Sequence, residues 1–70
     1  MRFPERVGEW EYAVQCDRLT EGQLEALRLW AAGLSYQRIG AALGLTSGGA
    51  RARIVRARER LAVIALEDAA

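Results

Sequence analysis

The sequence predicts a small all-α protein, a bundle of about four helices that ends in a long basic helix. Three observations support this fold class. Apolar residues recur at helical spacing in four segments, polar cap residues and glycines separate those segments, and six of the ten arginines lie within residues 38–60. A chain of 70 residues is long enough for one domain with a modest core and too short for a large catalytic cleft.

Residues 1–18 are expected to form an N-terminal helical extension, with a helix over residues 4–16. Val7, Trp10 and Val14 are spaced i, i+3 and i+7, which places them on one helical face. We expect this face to be the buried one.

A second helix is expected to begin after Thr20. Thr20 and Gln23 have the spacing of a capping box, in which each side chain bonds the backbone N–H of the other residue. The apolar stripe of this helix consists of Leu24, Leu27 and Ala31. Gly33 is expected to end the helix, because glycine adopts the left-handed conformation at low cost. Large aromatic residues usually pack in small cores, so Trp10 and Trp30 are expected to be buried.

Ser35 is expected to cap a short third helix over residues 36–43, which Gly44 ends. Its inward-facing residues are expected to be Ile39, Ala42 and Leu43. Thr46 then caps a fourth helix that runs as far as Leu66. The core positions of that helix are expected to be Ala50, Ile54, Ala57 and Leu61.

The third and fourth helices are joined by a turn at Gly44, and the fourth is rich in arginine. This arrangement is a helix-turn-helix, and we expect the domain that contains it to span residues 19–61. The last helix of this motif can enter the major groove of DNA. Residues 62–70 are then an apolar helical extension with a short tail.

The charge distribution supports a polyanionic ligand. Residues 1–37 contain four arginines and six acidic residues, whereas residues 38–60 contain six arginines and one acidic residue, and residues 61–70 contain two acidic residues. The net charge of +1 therefore hides a basic block between two acidic flanks.

Several function classes are excluded by composition. The chain has no histidine, and Cys16 is its only cysteine, so it offers neither the usual metal-ligand set nor a histidine-based acid or base. We therefore expect no enzyme activity and no cofactor. A lone cysteine favours a reducing compartment, and no apolar run reaches the length of a signal sequence or membrane span, so a cytoplasmic protein without a membrane partner is expected.

Three stretches resemble known helix-turn-helix families. They are residues 19–29 (LTEGQLEALRL), 32–46 (AGLSYQRIGAALGLT) and 51–61 (RARIVRARERL). Together they resemble sigma factor region four, and LuxR-type helix-turn-helix domains share much of the pattern. The resemblance implies double-stranded DNA as the partner and a role in transcription regulation.

The residues expected to contact DNA are Tyr36, Gln37, Arg38, Thr46, Ser47, Arg51, Ala52, Arg53, Arg56 and Arg58. By the resemblance, the residues from Tyr36 to Arg38 match backbone-contacting positions, and Ser47, Gly48 and Ala52 match base-reading positions. A helical wheel places arginines on both sides of the groove-facing surface, where they suit phosphates. The side chains at the reading positions are small, so base recognition through them is weak.

The sequence leaves two questions open. The apolar run Leu61–Leu66 exceeds the needs of a helix-turn-helix, and it either docks on the N-terminal helix or forms a homodimer seam. The small reading face also admits a second function, a protein-interaction module that docks on RNA polymerase or another transcription protein. A role in DNA packaging or replication is a weaker third interpretation.

Overall fold

The computed structural model describes residues 4–69 and contains four α-helices over that range. They are α1 (Pro4–Cys16), α2 (Glu21–Ala31), α3 (Tyr36–Leu43) and α4 (Ser47–Ala69). The predicted fold class, a small all-α helix-turn-helix bundle, is confirmed. The fourth helix extends beyond Leu66, and the predicted boundary between residues 61 and 62 lies inside it. No helix of the described range is long and apolar enough to cross a membrane.

The capping box at the start of α2 is present as predicted. The Gln23 backbone N–H donates to Thr20 Oγ1 at 3.2 Å, and the Thr20 backbone N–H donates to Gln23 Oε1 at 3.1 Å. At the other end, Gly33 follows the helix with a φ of 95°. This left-handed conformation is the one that a glycine adopts without a Cβ clash.

The turn between α3 and α4 brings backbone into close contact with backbone. Gly44 is left-handed (φ 71°), and the Leu45 N–H donates to the Gly40 carbonyl at 2.7 Å. A Cβ atom on Gly40 would lie 2.6 Å from the Leu45 carbonyl oxygen, so only glycine fits there. Thr46 caps α4, because its Oγ1 accepts the Gly49 N–H at 3.0 Å. These contacts fix the angle of the helix-turn-helix.

The core lies where α2, α3 and α4 meet, with α1 closing one side. Its largest fully buried side chains are those of Leu27, Ile39, Ile54 and Ile64. Trp30 is buried as predicted, and so are the four predicted core positions of α4. Trp10 is only partly buried against this core.

Two predicted inward-facing residues are exposed instead. In α1 the fully buried residue is Ala13, and Val14 is 48% exposed. The small Ala13 side chain allows α1 to lie close to the core, which turns Val14 outward. In α3 the inward face is centred on Gly40, because the following turn packs directly on that residue, and Ala42 is therefore exposed.

The C-terminal half of α4 docks on α1 within the same chain. Leu61 and Ile64 are buried, and Tyr12 Oη donates to Asp68 Oδ2 at 2.7 Å. Arg18 binds the Glu67 carboxylate at 3.3 Å. Of the two uses foreseen for the run Leu61–Leu66, the intramolecular one is thus observed.

Candidate nucleic-acid interface

The predicted contact residues lie at the start of α3 and along the first three to four turns of α4. Most of their side chains are exposed, and those of Tyr36, Ala52 and Arg53 are half-buried. Ser35 Oγ accepts the Arg38 N–H at 3.3 Å, which caps the N-terminus of α3. The helix-turn-helix therefore holds these residues on the start of α3 and the N-terminal half of α4, which are joined by one short turn.

Ion pairing divides the arginines into two groups. Arg18, Arg28 and Arg58 are bound to carboxylates, and Arg6 donates to the Trp30 carbonyl. The second group contains the arginines that lie within ion-pair distance of no acidic side chain in residues 4–69. Its members are Arg38, Arg51, Arg53, Arg56 and Arg60. All five are on α3 or α4, so the helix-turn-helix carries a group of positive charges that no acidic side chain of residues 4–69 pairs with.

Arg58 lies in α4, but its side chain binds α1. Its Nε donates to Glu9 Oε1 at 2.8 Å, and its guanidinium lies 4.8 Å from the centre of the Trp30 ring. The hydrogen bond to Glu9 is the largest cause of a raised Arg58 pKa. Of the ten predicted contact residues, Arg58 is the one that the structure engages in an ion pair.

The exposed face of α4 carries small side chains between two arginines. Gly48 and Ala52 leave the helix backbone close to the surface, and Val55 is 38% exposed. Arg51 and Arg56 flank this strip on opposite sides of the helical wheel. A surface of this kind can approach a groove closely, with guanidinium donors at its edges.

Gln23 is a further polar residue of this region, and its predicted role was helix capping alone. It lines an open groove of about 340 Å³ between α2 and α4. The other lining residues are Leu45, Gly49, Ala52, Arg53 and Arg56. The sequence signal that could have pointed to Gln23 as a hydrogen-bond donor is its place in the capping box. There its amide oxygen accepts the Thr20 N–H, and its amide nitrogen is left to donate elsewhere.

The described residues include no group of three His, Cys, Asp or Glu side chains that could hold a metal ion. Cys16 is half-buried, and its thiol donates to the Ala13 carbonyl at 3.3 Å. The polar chemistry of this region therefore consists of guanidinium, amide and helix-terminal N–H donors.

The family of the chain follows from its sequence as well as from this geometry. The family described as sigma-70, region 4 matches residues 15–61, which include α2, α3 and the N-terminal part of α4. Comparison with the curated proteins and with the solved structures gave no significant match. The match spans more than half of the chain, and the helix-turn-helix that it implies is present. The chain belongs to the sigma-70 region 4 family and is a DNA-binding helix-turn-helix module in transcription.

Proposed function

We propose that this protein binds double-stranded DNA as a transcription regulator, with the N-terminal half of α4 in the major groove. The observation that carries the proposal concerns the arginines of residues 4–69: those without an acidic partner there, Arg38, Arg51, Arg53, Arg56 and Arg60, all lie on α3 or α4. DNA phosphates are the polyanion that such a surface fits, and neutralising them releases condensed counterions. The role is non-enzymatic, and a DNA ligand suits a cytoplasmic location.

Most of the proposed contacts are to the backbone of DNA. Arg38, Arg51 and Arg53 supply guanidinium donors for phosphates. The N-termini of α3 and α4 add backbone N–H groups and favourable dipoles, next to Tyr36, Gln37, Thr46 and Ser47.

Base reading is limited on this surface. Ala52 suits the methyl group of thymine, and Arg56 suits the acceptor edge of guanine. Gly48 has no side chain with which to read a base. The proposed binding is therefore steeply dependent on salt and only modestly dependent on sequence.

A titration of labelled duplex DNA at low and moderate salt tests the proposal. Wild-type protein is expected to bind at low salt, and Arg51→Ala combined with Arg53→Ala is expected to abolish most of that binding. Arg18→Ala combined with Arg28→Ala removes the same charge from residues bound to carboxylates and is the matched control. No binding by the wild type, or equal binding by the Arg51 and Arg53 double variant, contradicts the proposal.

Contact with RNA polymerase is a second candidate function, because sigma region 4 domains bind both DNA and RNA polymerase. The observation that favours it is a groove between α1 and α2 in which the apolar side chains of Trp10, Val14 and Leu24 lie together with Glu21, Glu25 and Arg28. In α4, Val63 and Leu66 are exposed as well, at 47% and 73%. We expect Val14→Ser or Leu66→Ser to weaken capture by purified RNA polymerase while DNA binding persists.

A homodimer remains a prediction, because Val63 and Leu66 of the run Leu61–Leu66 are exposed. Sedimentation of the wild type and of Leu66→Ser tests it. A concentration-dependent dimer that the substitution removes is the expected outcome if two copies pair through this segment.

A further inference from the structure

The side-chain amide of Gln23 is held in one orientation at the start of α2. Its Oε1 accepts the Thr20 backbone N–H at 3.1 Å, and its own backbone N–H donates to the Thr20 hydroxyl at 3.2 Å. With the oxygen engaged, the amide nitrogen retains two N–H donors. Gln23 is also one of the residues that line the groove between α2 and α4.

Two arginines complete the polar lining of the same groove. Arg53 lies against the first turn of α2, because a Cβ on Gly22 would be 3.3 Å from its Nη1 atom. Neither Arg53 nor Arg56 lies within ion-pair distance of an acidic side chain in the described range. The nearby Glu21 lines the separate groove between α1 and α2. The groove beside α4 thus offers side-chain donors and no carboxylate.

We infer that this groove binds a backbone phosphate of DNA, held by the Gln23 amide together with the guanidinium group of Arg53. The first turn of α2 then becomes a third DNA-contacting element beside α3 and α4. Ala52 and Arg56 belong both to the groove and to the proposed interface, so one duplex can occupy both. The inference rests on the proposed function, since the phosphate comes from the bound duplex.

Replacing Gln23 with glutamate separates this role from helix capping. Thr-x-x-Glu is itself a capping box, and a carboxylate at a helix N-terminus is favourable, so Gln23→Glu keeps or raises the unfolding midpoint. In the groove, however, a carboxylate replaces the donor and repels phosphate. We expect Gln23→Glu to bind duplex DNA about tenfold more weakly, the effect of losing one hydrogen bond to a charged group. The slope of log affinity against log salt should become shallower by about 0.9, which corresponds to one phosphate.

Two comparisons separate the role of Gln23 from a general effect of added charge and test its coupling to Arg53. Gln15→Glu adds the same charge at an exposed position of α1 and is expected to leave DNA affinity nearly unchanged. Combining Gln23→Glu with Arg53→Gln should cost less than the sum of the two single changes, because both residues hold one phosphate. Combining it with Arg60→Gln, two turns further along α4, should be additive.

The outcomes distinguish this inference from the proposed function. Wild-type protein that does not bind DNA overturns both. Wild-type binding that Gln23→Glu leaves unchanged in affinity and salt slope overturns the inference alone. A thermal-shift titration with inorganic phosphate tests whether the groove binds free phosphate instead of a DNA phosphate. Free phosphate that stabilises the wild type and not Gln23→Glu, with DNA binding equal in both, also overturns it.

Discussion

The Glu9 carboxylate of α1 binds the Arg58 guanidinium of α4, with Nε to Oε1 at 2.8 Å and Nη2 to Oε2 at 3.3 Å. The same guanidinium lies over the ring of Trp30 in α2 at 4.8 Å. Arg6 approaches this ring at the same distance and donates to the Trp30 carbonyl at 3.1 Å. Three helices are therefore joined around one tryptophan, and α1 is tied to the helix-turn-helix through polar as well as apolar contacts.

Loss of the Glu9 carboxylate is expected to destabilise the protein modestly. The pair is partly exposed, so Glu9→Gln should lower the free energy of unfolding by about 0.5–1 kcal/mol. Arg58→Gln also removes the contact with the Trp30 ring and should cost about 0.5–1 kcal/mol more. Urea denaturation followed by circular dichroism measures both changes. Glu11→Gln, at an exposed position of the same helix, is the control, and an equal loss there would contradict the assigned pair.

The division of the arginines predicts different salt responses in DNA binding. Arg51→Gln should lower the slope of log affinity against log salt by about 0.9, the contribution of one phosphate. Arg58→Gln should leave that slope unchanged, because its positive charge is already matched by Glu9. Titrations over a range of salt concentrations provide the slopes. The same reduction in both variants would place Arg58 on the DNA.

Two glycines are expected to respond oppositely to alanine. Gly40→Ala sets a Cβ 2.6 Å from the Leu45 carbonyl oxygen and should lower the unfolding free energy by about 1–3 kcal/mol, the usual cost of overpacking. Gly8 lies inside α1, and a Cβ atom on it would meet no neighbouring side chain within 4 Å, so Gly8→Ala should raise the unfolding free energy by about 0.5–1 kcal/mol. Thermal unfolding of both variants checks the two signs. A neutral Gly40→Ala would mean that the turn can move away from α3.

The pKa of the Tyr12 hydroxyl is expected to lie above its ordinary value. Its hydrogen bond to the Asp68 carboxylate, followed by desolvation and repulsion from that carboxylate, raises the Tyr12 pKa. A raised pKa in the folded protein means that this contact stabilises fully below the ordinary tyrosine pKa, about 10, and is lost as the pH rises through the folded value. Absorbance titration of a Tyr36→Phe variant isolates Tyr12. Asp68→Asn in that background should bring the pKa down, and an unchanged pKa would disprove the cause.

Helix positions and caps were predictable from the sequence because they depend on local chemistry. Thr20 and Gln23, or Gly44 after α3, act through residues within one helical turn. The four core positions of α4 were equally predictable, since one face of a long helix repeats with a fixed period.

The features that escaped prediction depend on how helices meet. Periodicity placed Val14 and Ala42 on apolar faces, but the close approach at Ala13 and Gly40 decided which side turns inward. Arg58 has the same charge as Arg51, and its partner lies 49 residues earlier in the chain, where no local pattern indicates it. The groove that contains Gln23 likewise exists only when α2 and α4 lie side by side.

The 23 residues of α4 form one uninterrupted helix about 34 Å long. Its first turns present Ala52 and Arg56, and its last turn is bound by Tyr12 of α1. Because an α-helix resists torsion about its axis, this contact at the far end adds to the buried Ala50, Ile54 and Ala57 in setting the roll angle at which the first turns meet a ligand. A substitution of Tyr12 can thus change recognition from a distance, without altering any residue that touches the ligand.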